Sequence, residues 1–247
     1  MAILTYHHIG ECPDGQEASR SLWVGRELFR AHLQWLSNYR WKGVTLDNIF
    51  DGITGQRPLP RRWVAITFDD GFRDNYLYAM PVLRDCGFPA TVFMITDKLQ
   101  NGDPGGNWDD YVSADEVLEM RSSGIEIGSH TRTHPRLTSM DNNGVRAELV
   151  SSRDNLLAIT GEVPRWLSYP YGNFSPRIAE IARQVGYSGA VSTIRGNRVT
   201  LPQLFWMPRV MIMGDTKPRQ LDYKLSWLYH VTHALKNRQR WVSLRKA

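Results

Sequence analysis

Two patterns of apolar and polar residues alternate along the 247 residues of this chain. Short apolar runs rich in β-branched and aromatic residues are typical of buried strands. They predict strands at 2–6, 63–68, 90–96, 125–130, 166–170, 188–193 and 206–213. Between these runs, apolar residues recur every three or four positions, which predicts helices at 27–40, 75–86, 114–122, 142–160, 176–185 and 218–235.

Strands that alternate with helices predict an α/β fold with a parallel sheet and helical crossovers. Because the strand runs are apolar almost throughout, we expect both faces of the sheet to be buried. About seven such units suit a closed or nearly closed, TIM-barrel-like barrel better than an open sheet. No linker or internal repeat interrupts the pattern, so we expect a single domain over residues 1–247. Ligands of such barrels bind beyond the carboxyl ends of the strands.

The net charge of +5 is concentrated in a basic tail from about residue 235, LKNRQRWVSLRKA, which contains no acid. Cations are favourable at the C-terminal end of a helix, so we expect a solvated helix end there. A weak peripheral contact with an anionic membrane through this tail is the alternative. We expect no nucleic-acid partner, and the oligomeric state is left open.

The beginning of the chain, MAILTYHHIG, lacks the basic flank and the apolar length of a signal peptide. No later run has the length of a transmembrane helix. We therefore expect a cytoplasmic protein. Its two cysteines, Cys12 and Cys86, form neither a disulfide framework nor a metal-binding motif.

Two acids, Asp69 and Asp70, directly follow the predicted strand 63–68. Adjacent carboxylates at a buried strand end disfavour each other's ionisation unless a cation offsets them. His130 and His134 follow the strand 125–130, and two imidazoles with one carboxylate are a usual ligand set for Zn²⁺ or another divalent metal ion. One aspartate would then bind the metal, and its neighbour would accept a proton from the attacking water. Taken singly, such an aspartate is usually a helix N-cap and such a histidine an ordinary surface residue.

Three motifs carry a family resemblance: TFDDG at 67–71, HTRTH at 130–134 and YPYG at 169–172. Their order and spacing resemble those of the polysaccharide deacetylase family, also called the NodB homology domain or carbohydrate esterase family four. The match spans roughly residues 3–213. The resemblance implies a distorted (β/α)7 barrel and metal-dependent hydrolysis of the acetamide of an N-acetylated amino sugar. The combination of YH near the start, YPYG, and PRV near the end looks more like the poly-N-acetylglucosamine deacetylase branch than like chitin or peptidoglycan deacetylases.

The resemblance also implies roles for single residues. Asp69 corresponds to the general base, and Asp70, His130 and His134 correspond to the metal ligands. Thr131 resembles the hydroxyl that braces the histidine loop. The third motif implies substrate contacts from Tyr169, Pro170 and Tyr171, and the backbone N–H of Tyr171 resembles the oxyanion donor.

The chain departs from the family pattern at two places. Ser168 stands where many members have the arginine that holds the base, and we expect Arg209 to replace that arginine. No L-x-H motif supplies the usual general acid, so we expect His7 or His8, and we prefer His7. A histidine that merely packs against the barrel rim is the alternative.

A polar, Gly-rich segment at 100–112 contains Trp108 beside two acids. An aromatic face beside acids suits sugar binding, so we expect Trp108 to contact substrate. A surface loop without such a role is the alternative.

Three functions are compatible with these features. The first is an amino-sugar N-deacetylase, the second a hydrolase of another C–N amide bond, and the third a catalytically silent glycan-binding protein. The presence of Asp69 argues against the third, because a binding protein has no need for a base next to a metal ligand.

Overall fold

The computed structural model describes residues 1–99 and 110–244. Its strands are β1 (Ala2–Tyr6), β2 (His8–Ile9), β3 (Trp23–Val24), β4 (Lys42–Gly43), β5 (Trp63–Phe68), β6 (Ala90–Met94), β7 (Glu126–Ser129), β8 (Trp166–Ser168), β9 (Gly189–Arg195) and β10 (Met207–Met211). Its helices are α1 (Arg26–Asn38), α2 (Leu46–Ile53), α3 (Met80–Cys86), α4 (Ala114–Ser122), α5 (Asn142–Thr160), α6 (Pro176–Val185), α7 (Gln220–Leu225) and α8 (Trp227–Leu244).

Seven of these strands close a parallel barrel. Going round it, β5, β6, β7, β8, β9 and β10 follow one another, and β1 pairs in parallel with both β10 and β5. The short strand β4 pairs with the beginning of β5, and β2 and β3 form a separate pair. The predicted (β/α)7 barrel is therefore confirmed.

Side-chain alternation along the strands divides the core into two layers. On the inside, residues such as Ile3, Ala65, Trp166 and Met207 belong to one buried cluster. Their neighbours along the strands, such as Leu4, pack outwards with residues of α1 and α3. Because both faces are covered, the strands read as continuous apolar runs rather than alternating ones.

Helices α4, α5 and α6 have the predicted bounds. Helix α2 was missed, although the capping box of Thr45 and Asn48 at its beginning is visible in the sequence.

The predicted helix 75–86 is helical throughout, since a π-helical turn, Asn75–Ala79, runs directly into α3. A second helix prediction was wrong in its continuity. The predicted helix 218–235 is two helices, because the chain is extended at Ser226 between α7 and α8. The backbone of the basic tail is helical as far as Leu244, where the described part ends. Within residues 1–99 and 110–244, no helix has both the length and the apolarity needed to cross a membrane.

Candidate metal centre and active site

The turn after β5 separates the two adjacent aspartates. The N–H of Asp69 still bonds to the carbonyl of Tyr6 at 3.1 Å, so Asp69 continues the strand. Asp70 and Gly71 then both adopt a positive φ, of 74° and 77°. A Cβ on Gly71 would lie 2.7 Å from Sδ of Met94, which only glycine avoids. This turn directs the two carboxylates to different partners.

Asp70, His130 and His134 bring three ligand atoms together. Oδ1 of Asp70 lies 3.3 Å from Nε2 of His130 and 3.5 Å from Nε2 of His134. Tetrahedral coordination at about 2.1 Å separates neighbouring ligand atoms by about 3.4 Å, so these spacings fit a single divalent ion. The donor set of two imidazoles and one carboxylate fits such an ion as well.

A second layer of contacts orients the histidines. Nδ1 of His130 donates to the carbonyl oxygen of Ser168 at 2.7 Å, which leaves the Nε2 lone pair facing Asp70. Oγ1 of Thr131 accepts the N–H of His134 at 3.1 Å. Burial, with His130 nearby, lowers the pKa of His134 to about 4, so this imidazole is neutral at pH 7 and able to bind a metal.

Glu148 of α5 holds the segment between the two histidines, and the sequence reasoning missed it. Its carboxylate accepts the N–H groups of Arg132 at 3.0 Å and Thr133 at 2.9 Å, and the hydroxyl of Thr133 at 2.9 Å. The side chain is buried, and an acid on the apolar face of α5 beside Val145 and Leu149 was the available signal.

Arg209 reaches Asp69 from β10 across the barrel interior. Its two terminal nitrogens donate to Oδ1 and Oδ2 of Asp69 at 2.8 and 2.6 Å, and the side chains are only 1% and 4% exposed. Further bonds join the guanidinium to Thr67, Ser168 and the carbonyl of Ser192. Burial alone would raise the pKa of Asp69, but Arg209, assisted by His130, holds it well below its usual range. Asp69 is therefore ionised at neutral pH.

The two N-terminal histidines point in opposite directions. His7 continues the inward row of Ile3 and Thr5, and its buried Nδ1 has no hydrogen-bond partner in the described part of the chain. Burial lowers the pKa of His7, whereas the charges of Asp70 and Asp69 act against that shift, as expected for a ring that faces them.

His8 belongs to the barrel rim instead. Its ring stacks between Trp23 and Phe72 at centroid distances of 3.8 and 3.7 Å. Its Nδ1 lies 2.7 Å from Oδ2 of Asp74. Of the two histidines, His7 is the one placed at the site.

Only part of the YPYG motif at 169–172 faces outwards. Tyr171 is 50% exposed, and its ring lies 4.6 Å from the His134 ring and beneath Arg136. It occupies the second position of a 3-10 turn, where backbone N–H groups have no partner within the turn. Tyr169 is fully buried, with its hydroxyl on the carbonyl of Phe205, and Pro170 is buried too. The side chains of Tyr169 and Pro170 thus lie in the interior, so of this motif Tyr171 is the residue whose ring is open to a ligand. The substrate contacts stay predictions, and Trp108 lies outside the described residues.

Backbone strain is concentrated at this site. Among the described residues, five that are not glycine have a positive φ, and four of them are Asp70, Thr131, His134 and Tyr171. Each such conformation costs about 1–3 kcal/mol and persists only where the surrounding contacts impose it. The surrounding contacts therefore hold the ligand residues and Tyr171 in backbone conformations that lower local stability.

Comparison with known proteins is consistent with this geometry. YxkH of Bacillus subtilis is 29% identical over 196 residues, which cover 79% of this chain and 65% of that protein. The poly-β-1,6-N-acetyl-D-glucosamine N-deacetylase of Staphylococcus aureus is 25% identical over 78% of this chain and 68% of its own length. The deacetylase PplD of Streptococcus pyogenes, solved with acetate, has the same fold, with a TM-score of 0.83 at 23% identity over 92% of this chain and 98% of that one.

A family model decides the assignment. The polysaccharide deacetylase model matches residues 56–190, more than half of the chain, and this range includes Asp69, Asp70 and both histidines of the candidate metal centre. The chain therefore belongs to the polysaccharide deacetylase family.

Proposed function

We propose that this protein is a metal-dependent N-deacetylase that removes acetyl groups from an N-acetylated amino-sugar polymer. One observation carries the proposal: an ionised carboxylate, Asp69, is fixed by Arg209 directly beside a set of three metal ligands. The substrate class is supported by the S. aureus relative, which is named for poly-β-1,6-N-acetyl-D-glucosamine.

The metal would be held by Asp70, His130 and His134, and we propose Zn²⁺ for this set of donors. When bound, a divalent ion supplies Lewis acidity that polarises the acetyl carbonyl and makes the attacking water more acidic.

The protein's own groups would move the protons. Asp69 accepts a proton from the attacking water, and Arg209 is a positioning residue that keeps this carboxylate ionised and correctly oriented. The N–H of Tyr171 would face the oxygen that gains negative charge. His7, whose Nδ1 is free of other partners within the described chain, would protonate the departing nitrogen.

The test combines acetate release with metal analysis. N-acetylglucosamine oligomers are incubated with the purified protein before and after chelation, and the metal content is measured by elemental analysis. We expect about one metal ion per chain, since the site has one set of three ligands, and acetate release that chelation abolishes.

Variants separate the roles at the site. Asp69→Asn should abolish acetate release at normal metal content, whereas His134→Ala should lose both. Asp222→Asn, an exposed carboxylate on α7, is the matched control and should keep both. Metal without acetate release from any oligomer would refute the deacetylase. Hydrolysis of a formamide or a cyclic amide, supplied as a separate substrate, would then indicate another amide hydrolase.

A further inference from the structure

His7, the proposed proton donor, lies where the chain leaves the barrel. It follows β1, which belongs to the barrel, and precedes β2, which pairs with β3 in a separate sheet. His7 itself belongs to neither strand. The direction of its side chain therefore depends on contacts that fix the backbone at this junction.

Asp74 and Asn75 supply such contacts from the segment after the metal-binding turn. Nδ2 of Asn75 donates to the carbonyl oxygen of His7 at 2.8 Å and to Oδ1 of Asp74 at 2.7 Å. Asp74 holds the next two residues, since its Oδ1 accepts the N–H of Ile9 at 3.1 Å and its Oδ2 lies 2.7 Å from Nδ1 of His8. Two adjacent side chains thus fix three consecutive residues of the junction.

The contacts of Asn75 are made in the interior of the protein. The residue is 1% exposed, and both partners of its amide nitrogen are acceptors, which fixes the orientation of the amide. Its Oδ1 is buried and has no hydrogen-bond partner within residues 1–99 and 110–244. Because the desolvation of that oxygen is uncompensated, this amide stabilises the fold less than a fully bonded one would. Its distinctive contribution is the bond to the His7 backbone.

The segment that carries Asn75 is part of the candidate active site. Asn75 begins the π-helical turn Asn75–Ala79, and such turns are rare and occur frequently at functional sites. A few residues earlier, the N–H of Asp69 bonds to the carbonyl of Tyr6 at the end of β1. The same short segment, 69–75, therefore carries the proposed base and fixes the backbone on both sides of the β1 end.

We propose that Asn75, supported by Asp74, is a positioning residue that holds His7 where it can protonate the departing nitrogen. This inference rests on the proposed deacetylase function and on the role of His7 in it. A proton donor must lie within hydrogen-bond distance of the leaving atom, and a displacement of about 1 Å can cost roughly 100-fold in rate. Loss of the Asn75 bond should therefore slow only reactions whose leaving group needs a proton.

Two substrates separate this role from a general effect on the fold. An N-acetylglucosamine oligomer has an amine leaving group that must be protonated, whereas para-nitrophenyl acetate releases a nitrophenolate that leaves without a proton. We expect Asn75→Ala to lower kcat for the oligomer roughly 10–100-fold at nearly unchanged KM, and to keep ester hydrolysis within about twofold. Asn75→Asp, which keeps the size of the side chain but replaces the donor by an acceptor, should give the same pattern. His7→Ala should show this selectivity with a larger loss on the oligomer.

Asn197→Ala is the matched control. Asn197 is 3% exposed, and its Nδ2 donates to the carbonyls of Lys224 and Ser226 at 3.2 and 2.6 Å, so it makes the same kind of buried bonds in another part of the fold. This variant should keep the wild-type ratio of oligomer to ester turnover, even where its melting temperature is lower. Equal losses on both substrates in the Asn75 variants, or no loss on the oligomer, would overturn the inference.

A spectroscopic measurement separates failure of this inference from failure of the proposed function. In heteronuclear NMR spectra of the histidine rings of chelated protein, the His7 signals are those missing in His7→Ala. They should shift or broaden in Asn75→Ala and Asn75→Asp but not in Asn197→Ala, whether or not acetate is released. Unchanged His7 signals would overturn the positioning role even if acetate release establishes the deacetylase.

Discussion

Replacing Arg209 by methionine should be among the most destabilising single substitutions in the barrel. The change leaves Asp69 buried, with its side chain 4% exposed, and without the two hydrogen bonds of 2.8 and 2.6 Å that offset its charge. Breaking a buried ion pair from one side costs about 3–5 kcal/mol. For a chain of this length, that loss corresponds to a decrease in melting temperature of roughly 6–20 °C.

The assay is urea or thermal unfolding of four proteins in a double-mutant cycle. Asp69→Asn combined with Arg209→Met should be destabilised by less than the sum of the single variants, because no unpaired charge then remains inside the barrel. Arg30→Met is the matched control, since Arg30 contacts Asp85 at 3.2 Å with both side chains at least 36% exposed. Such surface pairs contribute about 0–1 kcal/mol. Strict additivity in the cycle, or a loss at Arg209 no larger than at Arg30, would refute the reasoning.

Three further predictions concern other parts of the molecule. Glu148→Gln, which weakens the acceptor for the backbone of the histidine loop, should lower metal affinity roughly 10–100-fold in a chelator competition, and unchanged affinity would show that this loop needs no support. Burial raises the pKa of Glu126 to about 7, so its contribution to folding is full below about pH 4 and is lost as the pH rises through 7. Between pH 4.5 and 8, Glu126→Gln should therefore gain up to about 3 kcal/mol in unfolding free energy relative to the wild type, and a constant difference would contradict this. Gly71→Ala should lower the melting temperature and reduce metal affinity, because its φ of 77° and the 2.7 Å approach to Met94 exclude a Cβ. A variant with normal stability and metal content would show that the turn tolerates it.

Sequence periodicity by itself determined the barrel and the places of its ligand set. Apolar runs and amphipathic stretches depend on local spacing, so the seven barrel strands and helices α4 to α6 could be predicted without any long-range information. The carboxyl ends of parallel strands meet at one end of a barrel, so the positions of Asp69, Asp70 and the two histidines after their strands already implied one shared site.

The role of each residue within that site could be assigned only from the tertiary structure. Asp69 and Arg209 are 140 positions apart, and only the closed barrel shows that they form a bidentate pair. The inward row of β1 decides between His7 and His8, which the sequence alone left open. Tyr169 looks like a surface aromatic in its motif but is buried on Phe174.

The same limit explains what sequence reasoning missed. Glu148 reads as one polar residue in a helix, and its function appears only where α5 packs beside the histidine loop. Local patterns specify secondary structure, whereas burial and hydrogen-bond partners come from contacts between segments far apart in the chain, and these only the folded structure supplies.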